Sequence, residues 1–496
     1  MGRDTLGCSI ADAYSPLFYC VIYIFIHSFF GHDSSSRRPK VLRAKMSLKR
    51  TNQTGLAWIL LACGISILWG STLGPEANRW VDFKAVYYGT RCLIEHHNPY
   101  SVSELDSVYR SEGGKPPSES VRDHIGVTLY VNLPATFLFV APFALLPWGP
   151  AHVLWMTLTA GVFILAALLT WNLAAGYSSR VTLFLLCILL ANCEAFFVAG
   201  NTAGIVVSLC VVAVWCLLKE RFVPAGILCL ALSLAIKPHD AGLVWLYFLL
   251  AGGIYRKRAL QSLFITAILS LSAFLWVSHV APHWIGDWQN NMAAISSHGG
   301  LNDPSLDSLT GRVGGMVIDL QSALSVFRDD PRFYNPVSYL VCGALLLIWS
   351  VFTLRSRFSL AKAWIALAVA VPLTMLVTYH RPWDAKLLLL TIPACAMLWA
   401  RGGATGWIAL LLNGAGIVMT ADLPLTLFIM LANNMQIPIT GLPGQVLTAV
   451  LMRPVPLILL AMSIFYLWVY LRRDPLQVST ATPGEPRETP LAQTRA

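Results

Sequence analysis

The sequence predicts an all-α polytopic membrane protein, and both its composition and its apolar runs favour this class. Hydrophobic residues make up 56% of the 496 residues and charged residues only 12%, whereas a soluble protein carries roughly 25% charged residues. A transmembrane helix needs about 20 apolar residues. Suitable runs lie near residues 56–74, 129–147, 151–173, 259–279, 336–354, 363–379, 385–400, 404–420 and 455–471, and shorter ones near 181–198, 203–218, 222–236 and 239–254.

The basic residues indicate membrane topology rather than a nucleic-acid partner. The formal net charge is +10, but Lys and Arg stand in short clusters between apolar runs instead of marking one surface. The 11 cysteines include no CxxC spacing, and most lie in apolar runs. We therefore expect free thiols in the core rather than a disulfide framework or a metal site.

The basic clusters also orient the chain, because positive residues near helix ends stay cytoplasmic. Residues 37–50 hold seven basic residues and no acid, whereas residues 75–128 hold eight acids and six bases. The first span therefore leads to the external face. Four apolar runs separate that external segment from the basic cluster 219–221. Because this cluster is expected inside, an odd number of crossings must lie between the two. We expect residues 181–198 and 203–218 to act as one crossing, which gives twelve crossings with both ends of the core inside.

The chain is expected to have three parts. The apolar run 16–30 is too short to span a bilayer, and the sequence from Met46 has the form of a natural start. The residues before Met46 are therefore interpreted as an upstream extension or a peripheral segment, and the Pro- and Thr-rich end as a disordered cytoplasmic tail. The predicted parts are residues 1–45, the transmembrane domain 46–471 with external loops 75–128 and 280–335, and the tail 472–496.

Asp82 stands in "NRWVDFKAVYYGT", shortly after the first span. A solvated loop acid, or the N-cap of a helix over residues 83–95, would explain it. Its neighbours are apolar and aromatic, however, which favours an interfacial helix at the membrane surface. A carboxylate held there could accept a proton from a sugar hydroxyl.

A second polar segment, "TYHRPWDAKLLLL", places His380, Arg381, Asp384 and Lys386 between two apolar runs on the predicted external side. A plain hairpin turn also needs polar residues, so this alternative stays open. Histidine can move a proton or bind a phosphate oxygen, and arginine can grip a phosphate with two hydrogen bonds. Such a set would suit a phosphate leaving group.

A third segment, "SLAIKPHDAGL", places Lys237, His239 and Asp240 at a predicted external helix junction. Ionisable residues in membrane spans are costly and are functional candidates, although Lys237 could equally extend to the interface. The polar set is completed by Tyr130 in "YVNLP" and by Glu194 and Asn201 in "NCEAFFVAGNTAG".

The sequence lacks the motifs of several enzyme classes. The Gly-rich segment 298–315 has no GKS or GKT ending and is interpreted as an external loop that contacts substrate or closes over it. HExxH, DxD and nucleophile-elbow motifs are also missing. A metal protease, a nucleotide-sugar transferase and a serine hydrolase therefore have no support.

Four of these stretches together resemble glycosyltransferase family 87. They are "VDFKAVYYGTRCLIEHHNPY", "LYVNLPATFLFVAPFALLP", "GNTAGIVVSLCVVAVWCLLKERFVPAGILCLALSLAIKPHDAG" and "TYHRPWDAKLLLL", and the resemblance covers about residues 56–400. It implies a membrane enzyme of the GT-C architecture that uses a polyprenyl-phosphate sugar. The pair Gly200–Asn201 departs from the pattern, since relatives often have Gly-Gln there.

The resemblance also implies roles for individual residues. Asp82 occupies the place of a catalytic base, His380 is the closest match to a histidine important in relatives, and Lys237 resembles a cation facing the donor phosphate. The predicted catalytic residues are therefore Asp82 and His380, and the predicted residues for donor phosphate and sugar are Lys237, Arg381, His239, Asp384, Asn201 and Tyr130.

The expected reaction is a single displacement with inversion on the external face of a bacterial inner membrane. The donor would be a polyprenyl-phosphate sugar, with mannose first and arabinofuranose second, and the acceptor a glycolipid or polysaccharide. Cationic side chains could neutralise the leaving phosphate, so no cofactor, nucleotide or obligatory metal is expected.

Two other functions remain on sequence alone. A transporter or flippase of a lipid-linked sugar would also need basic groups in a polar cleft, but the long external loops and lack of internal repeats count against it. A structural membrane partner would leave Asp82 and His380 without a role.

Overall fold

A computed structural model describes residues 40–72, 80–114, 129–306, 308, 317–422, 424–425, 427–428, 431 and 441–472. Of the predicted N-terminal extension only residues 40–45 are described, and the predicted tail beyond residue 472 lies outside. The chain divides into two compact units, residues 1–57 and 58–496. Residues 40–57 of the first unit are helical, and all packing described below lies within the second.

The described residues are largely helical and contain no strand, which agrees with the predicted all-α class. The helices are α1 (Lys40–Thr72), α2 (Val81–Ile94), α3 (Val102–Ser111), α4 (Ala135–Ala144), α5 (Trp148–Ala174), α6 (Ser179–Leu190), α7 (Glu194–Ala199), α8 (Ala203–Lys219), α9 (Val223–Ile236), α10 (Pro238–Ala251), α11 (Gly253–Val280), α12 (Trp284–Ser296), α13 (Leu320–Leu324), α14 (Pro331–Arg355), α15 (Leu360–Val377), a 3-10 helix (Asp384–Thr391), α16 (Ile392–Arg401), α17 (Gly403–Met419), α18 (Gly441–Met452) and α19 (Pro454–Leu471).

Fewer helices meet the length of a full span than the sequence predicts. In the part of the chain that the structure describes, seven helices are long and apolar enough to cross a membrane, so the count of twelve crossings is not confirmed. Several other apolar helices are shorter than a span. The seven are Gln53–Thr72, Trp148–Ala174, Ser179–Ala199, Gly253–Val280, Pro331–Arg355, Leu360–Val377 and Pro454–Leu471.

Two predicted spans have a different form. The run 129–147 is helical only over Ala135–Ala144, and the chain before Ala135 is irregular. The run 385–400 begins as the 3-10 helix Asp384–Thr391 and becomes α-helical at Ile392. Pro393 at the start of α16 lacks an amide hydrogen, so it is tolerated only where no intrahelical bond is needed.

Two backbone breaks bring polar residues together at the site. Pro238 follows Lys237 and disfavours helical backbone there. Lys237 accordingly has φ −139° and ψ 81° between α9 and α10. Gly200 ends α7 with φ 65°, a conformation that glycine adopts without strain. A Cβ at Gly200 would lie only 2.7 Å from Cβ of Phe83, so a side chain there would push α2 away.

Asp82 lies in the first turn of α2, because that helix begins at Val81 and its N-cap is Trp80. The suggestions of a solvated loop acid and of an N-cap are therefore wrong. The aromatic side chains of α2 pack inside the protein rather than along a free surface: the ring of Phe83 stacks on Trp155 at 4.6 Å between ring centroids, and the Tyr87 hydroxyl donates to the Leu146 carbonyl at 2.7 Å.

Helix α15 forms the centre of the helical core. Its side chains are buried on every face, and it packs against α10, α14, α19 and the 3-10 helix. The chain leaves α15 at Val377 and immediately enters the polar segment 378–383. The described cysteines are all free, as the sequence predicts.

Gly89 in α2 allows close packing on Tyr130. A Cβ at Gly89 would lie 2.7 Å from Cδ2 of Tyr130, whereas a Cβ at Gly161 in α5 would meet no atom within 4 Å. Gly89→Ala is expected to lower the free energy of unfolding by about 1–3 kcal/mol through overpacking. The higher helix propensity of alanine offsets about 1 kcal/mol of this loss.

Thermal unfolding in detergent measures this difference. Gly161→Ala is the matched control, since it gains the helix propensity without a clash and should unfold at the wild-type temperature or above. Equal unfolding temperatures for the two variants would contradict the packing argument.

Candidate active site

A buried ion triad joins two distant segments of the chain. Nζ of Lys237 lies 2.5 Å from Oδ1 of Asp384 and 3.3 Å from Oδ2 of Asp240. The Lys237 side chain is 9% exposed and each carboxylate 1%. Because a buried charge is tolerated only when it is paired, the α9–α10 junction is held against the start of the 3-10 helix.

Two histidines border this triad. Nε2 of His380 lies 3.2 Å from Oδ1 of Asp240, and Nδ1 of His380 lies 2.7 Å from the Thr378 carbonyl oxygen. Burial alone would lower the pKa of His380, but the Asp240 and Asp384 carboxylates favour its charged form and raise the pKa overall. The rings of His239 and His380 are 5.1 Å apart at their centroids. The predicted His239, Asp384, Lys237 and His380 thus form one cluster around Asp240.

Arg381 is fixed from several directions. Its backbone N–H donates to Oδ2 of Asp384 at 2.8 Å, and Nε donates to the Tyr379 hydroxyl at 2.6 Å. Nη2 donates to the Leu301 carbonyl at 2.8 Å and to Oδ1 of Asn302 at 3.3 Å. The predicted contact loop 298–315 thus reaches the site through residues 301 and 302, while residues 307 and 309–316 lie outside the described chain.

Asp82 is held by the backbone break after α7. The side-chain amide of Asn201 donates from Nδ2 to Oδ2 of Asp82 at 2.6 Å. Oδ1 of Asn201 accepts from the backbone N–H of Ala203 at 2.7 Å, which fixes the amide. The N–H of Trp80 donates to the Val198 carbonyl at 2.6 Å. Asn201 therefore orients one oxygen of the carboxylate and leaves Oδ1 available.

Asp82 also responds to the charges of the triad segment. Burial raises the pKa of Asp82 above its ordinary value, while the hydrogen bond from Asn201 and the charges of Arg381 and Lys237 oppose that rise. The charge of Asp384 adds to it. Asp82 thus lies within electrostatic reach of the cluster, as a shared site requires.

Lys386 does not belong to this cluster, although the sequence places it in the same short segment. Its Nζ donates to the Thr420 carbonyl at 2.6 Å and lies 3.5 Å from Oδ1 of Asp422. Oδ2 of Asp422 accepts from the N–H of Ala195 at 2.8 Å. Residues two apart on a helix do not face each other, so Lys386 points away from Asp384 and pairs with Asp422 instead.

Tyr130, predicted to bind the donor, lies in an aromatic core. Its ring stacks on Phe137 at 4.7 Å and contacts Tyr100 at 5.2 Å. The Tyr130 backbone carbonyl accepts from Asn291 at 3.1 Å. In this structure the ring of Tyr130 packs against Gly89 of α2. Among the described residues no contact joins Tyr130 to the charged cluster, and its role in substrate binding stays a prediction.

Sequence reasoning omitted Asp240 from the predicted binding set, although it contacts Lys237, His239 and His380. The "KPHD" spacing was the available signal, since a carboxylate in the first turn of α10 faces the residues before the helix. Tyr379 and Asn302 were also missed. Their spacing gives no signal, because Asn302 and Arg381 are brought together only by the fold.

Three side chains could hold a metal ion in the part of the chain that the structure describes. The group is His239, Asp240 and His380, whose donor atoms lie within 4.8 Å of one another. Asp240 therefore belongs both to the ion triad and to a possible ligand set.

Comparison with known proteins gives one match. The sequence model of glycosyltransferase family 87 matches residues 130–326, which confirms the predicted resemblance over that range and implies a glycosyltransferase. No curated protein matches, and no solved structure matches. Lys237 lies inside the matched range, whereas Asp82 and His380 lie outside it, and their contacts to Asn201 and Asp240 connect them to it.

Lys237→Ala is expected to lower stability strongly, because Asp240 and Asp384 would remain buried without their shared cation. Breaking a buried pair costs about 3–5 kcal/mol. The exposed Lys257 provides the matched control, and its replacement by Ala should stay within about 0.5 kcal/mol of wild type. Thermal unfolding in detergent measures both, and an unchanged midpoint for Lys237→Ala would contradict the importance of the triad.

Proposed function

We propose, from the match of residues 130–326 to glycosyltransferase family 87, that this chain transfers a sugar from a polyprenyl-phosphate donor with inversion of configuration. The observation that carries the proposal is the contact of Lys237 with Asp384 at 2.5 Å, which holds Lys237 beside Arg381 through their shared partner Asp384. The Asp82 carboxylate is held separately by Asn201 at 2.6 Å. Such a displacement needs a carboxylate that accepts the proton of the acceptor hydroxyl and cations that stabilise the leaving phosphate. We call these two groups of residues the acceptor half and the phosphate half of the site. Mannose is the first candidate sugar and arabinofuranose the second, with a lipid or glycan as acceptor.

The phosphate half consists of Lys237, Arg381 and His380. Arg381 presents a planar guanidinium that suits phosphate oxygens, and its bonds to Leu301 and Asn302 hold it in one orientation. Lys237 is held in place by Asp240 and Asp384, and the neighbouring Arg381 and His380 add the positive charge that the leaving group needs. Preorganised charges of this kind stabilise a transition state without further rearrangement.

The acceptor half consists of Asp82 and Asn201. The acceptor oxygen attacks the anomeric carbon, the bond from that carbon to the phosphate oxygen breaks, and the bonding electrons leave with the polyprenyl phosphate. Asp82 takes the acceptor's hydroxyl proton as the new bond forms. Asn201 fixes the carboxylate through Oδ2, so Oδ1 is the oxygen that receives the proton.

The external, periplasmic face is the proposed location of this chemistry. The basic clusters at residues 219–221 and 255–258 favour a cytoplasmic position for the opposite ends of α9 and α10. The Lys237 junction would then lie at the external side of both helices. A polyprenyl chain would lie among the helices, with its phosphate at this level.

The direct test incubates purified protein with a panel of polyprenyl-phosphate sugars and a mixture of glycolipid acceptors. Formation of a glycosylated product with release of polyprenyl phosphate is expected for at least one donor, and mannosyl donors come first. Movement of intact donor across a liposome membrane without any product would favour a flippase instead.

Asp82→Asn is expected to reduce transfer by about 10²–10⁴-fold, since general base catalysis supplies a factor of this size. Donor binding should persist, because the isosteric amide leaves the phosphate residues in place. Asp106→Asn is the matched control, because Asp106 pairs with Arg110 in the same predicted external loop. Product formation by Asp82→Asn near the wild-type rate would exclude the base role.

The acid limb of the pH profile should lie above the ordinary Asp value of 3.8, because burial raises the pKa of Asp82. Asp82 accepts a proton only when ionised, so kcat/KM falls as the pH drops through this raised pKa. Asn201→Leu removes the hydrogen bond that favours the charged form. The limb should therefore move to higher pH, whereas the exposed control Asn290→Ala should leave it in place. A shift to lower pH for Asn201→Leu would contradict the assignment.

A further inference from the structure

Three ligand-type atoms near Lys237 meet in one buried space. They are Nε2 of His239, Oδ1 of Asp240 and Nε2 of His380, and none has a hydrogen-bond partner among the described residues. His380 is 0% exposed and Asp240 1%. Leaving such groups without a partner is costly, so the space favours a ligand that all three atoms can share.

The tautomer of His380 limits what can lie between this residue and Asp240. Nδ1 lies 2.7 Å from the Thr378 carbonyl oxygen, and a carbonyl can only accept, so Nδ1 carries the hydrogen. In the neutral ring Nε2 then presents a lone pair. That lone pair faces Oδ1 of Asp240 at 3.2 Å, which is repulsive unless a cation or a proton lies between the two atoms.

The surrounding contacts resemble those that support metal ligands. A histidine that binds a metal usually donates its other ring N–H to a carbonyl or carboxylate, as His380 does to Thr378. The second oxygen of Asp240 faces the Lys237 ammonium at 3.3 Å, which leaves Oδ1 for the shared space. The side chain of His239 is 32% exposed, so this residue lies at the edge of the space.

We propose that His239, Asp240 and His380 bind one divalent transition-metal ion, with Zn²⁺ as the best match to two imidazoles and a carboxylate. Tetrahedral bonds of about 2.0–2.2 Å place neighbouring donor atoms about 3.4 Å apart. Oδ1 of Asp240 lies 3.2 Å from Nε2 of His380 and 3.8 Å from Nε2 of His239. All three donor atoms lie within 4.8 Å of one another, and a tetrahedral ion held by three side chains would keep its fourth position for a solute.

The role of this ion rests on the proposed function. Bound beside Lys237, it would coordinate an oxygen of the donor phosphate and share the charge that develops on the leaving group. The sequence predicts no obligatory metal, because cationic side chains could neutralise the phosphate and no HExxH or DxD motif is present. This ligand set comes instead from two segments separated by about 140 residues of chain, a spacing that carries no sequence motif.

Equilibrium dialysis tests the site without any activity measurement. The full chain is purified in detergent, stripped with a chelator, dialysed against Zn²⁺ and analysed for bound metal. One equivalent per chain is expected. His239→Ala should weaken binding by at least about tenfold, and because its side chain lies at the edge, the variant should remain folded by size-exclusion chromatography. The exposed His283 supplies the matched control, and His283→Ala should bind as wild type does.

Cobalt provides a second readout. Co²⁺ bound by two imidazoles and a carboxylate gives visible absorption bands that should change in His239→Gln and persist in His283→Ala. Zinc bound equally by wild type and His239→Ala, or no zinc retained by either, overturns the proposal and leaves a protonated His380 as the partner of Asp240. Zinc binding without sugar transfer supports the metal site and counts against the transferase. Full transfer by zinc-free protein overturns the ion's phosphate role.

Discussion

The contact between Lys237 and Asp384 is the constraint on which the arrangement of the site depends. A lysine at a break between two helices meets a carboxylate at the start of a 3-10 helix, and both are almost fully buried. Separating them would expose each charge to an apolar environment, which is far more costly than loss of an exposed ion pair. The two chain segments are therefore held in a fixed relative position, and this position also places His380 and Arg381.

Asp82 reaches the same region by a different route. The aromatic rings of α2 pack beneath it, and Gly200 permits the close approach that places Asn201 on its carboxylate. The partner of Asp82 is the neutral amide of Asn201, so Asp82 can still gain or lose a proton. The charge of Asp384, in contrast, is paired with the ammonium of Lys237. The two aspartates thus lie in different electrostatic environments, because Asp82 faces an amide and Asp384 an ammonium.

The sequence could predict the class of fold, because apolar runs at helical length follow from the thickness of a bilayer. The family resemblance also implied one site for Lys237, His239, His380 and Asp384, and the structure brings these four residues together. The sequence could not show that Lys386 pairs with Asp422, because residues two apart on a helix point in different directions and Asp422 belongs to a segment that only the fold brings near. The binding role of Tyr130 stays a prediction, because an aromatic residue beside polar ones serves packing and binding equally well.

The shared cation has a consequence for sequence variation. In the set of Lys237, Asp240 and Asp384, one positive group is shared by two negative groups, and Asp384 comes from a distant part of the chain. A neutral replacement at position 384 leaves Lys237 with one carboxylate, while a neutral replacement at position 237 leaves two carboxylates repelling each other. Drift at the three positions is consequently asymmetric: an acid can be lost first, and the lysine only after an acid has gone.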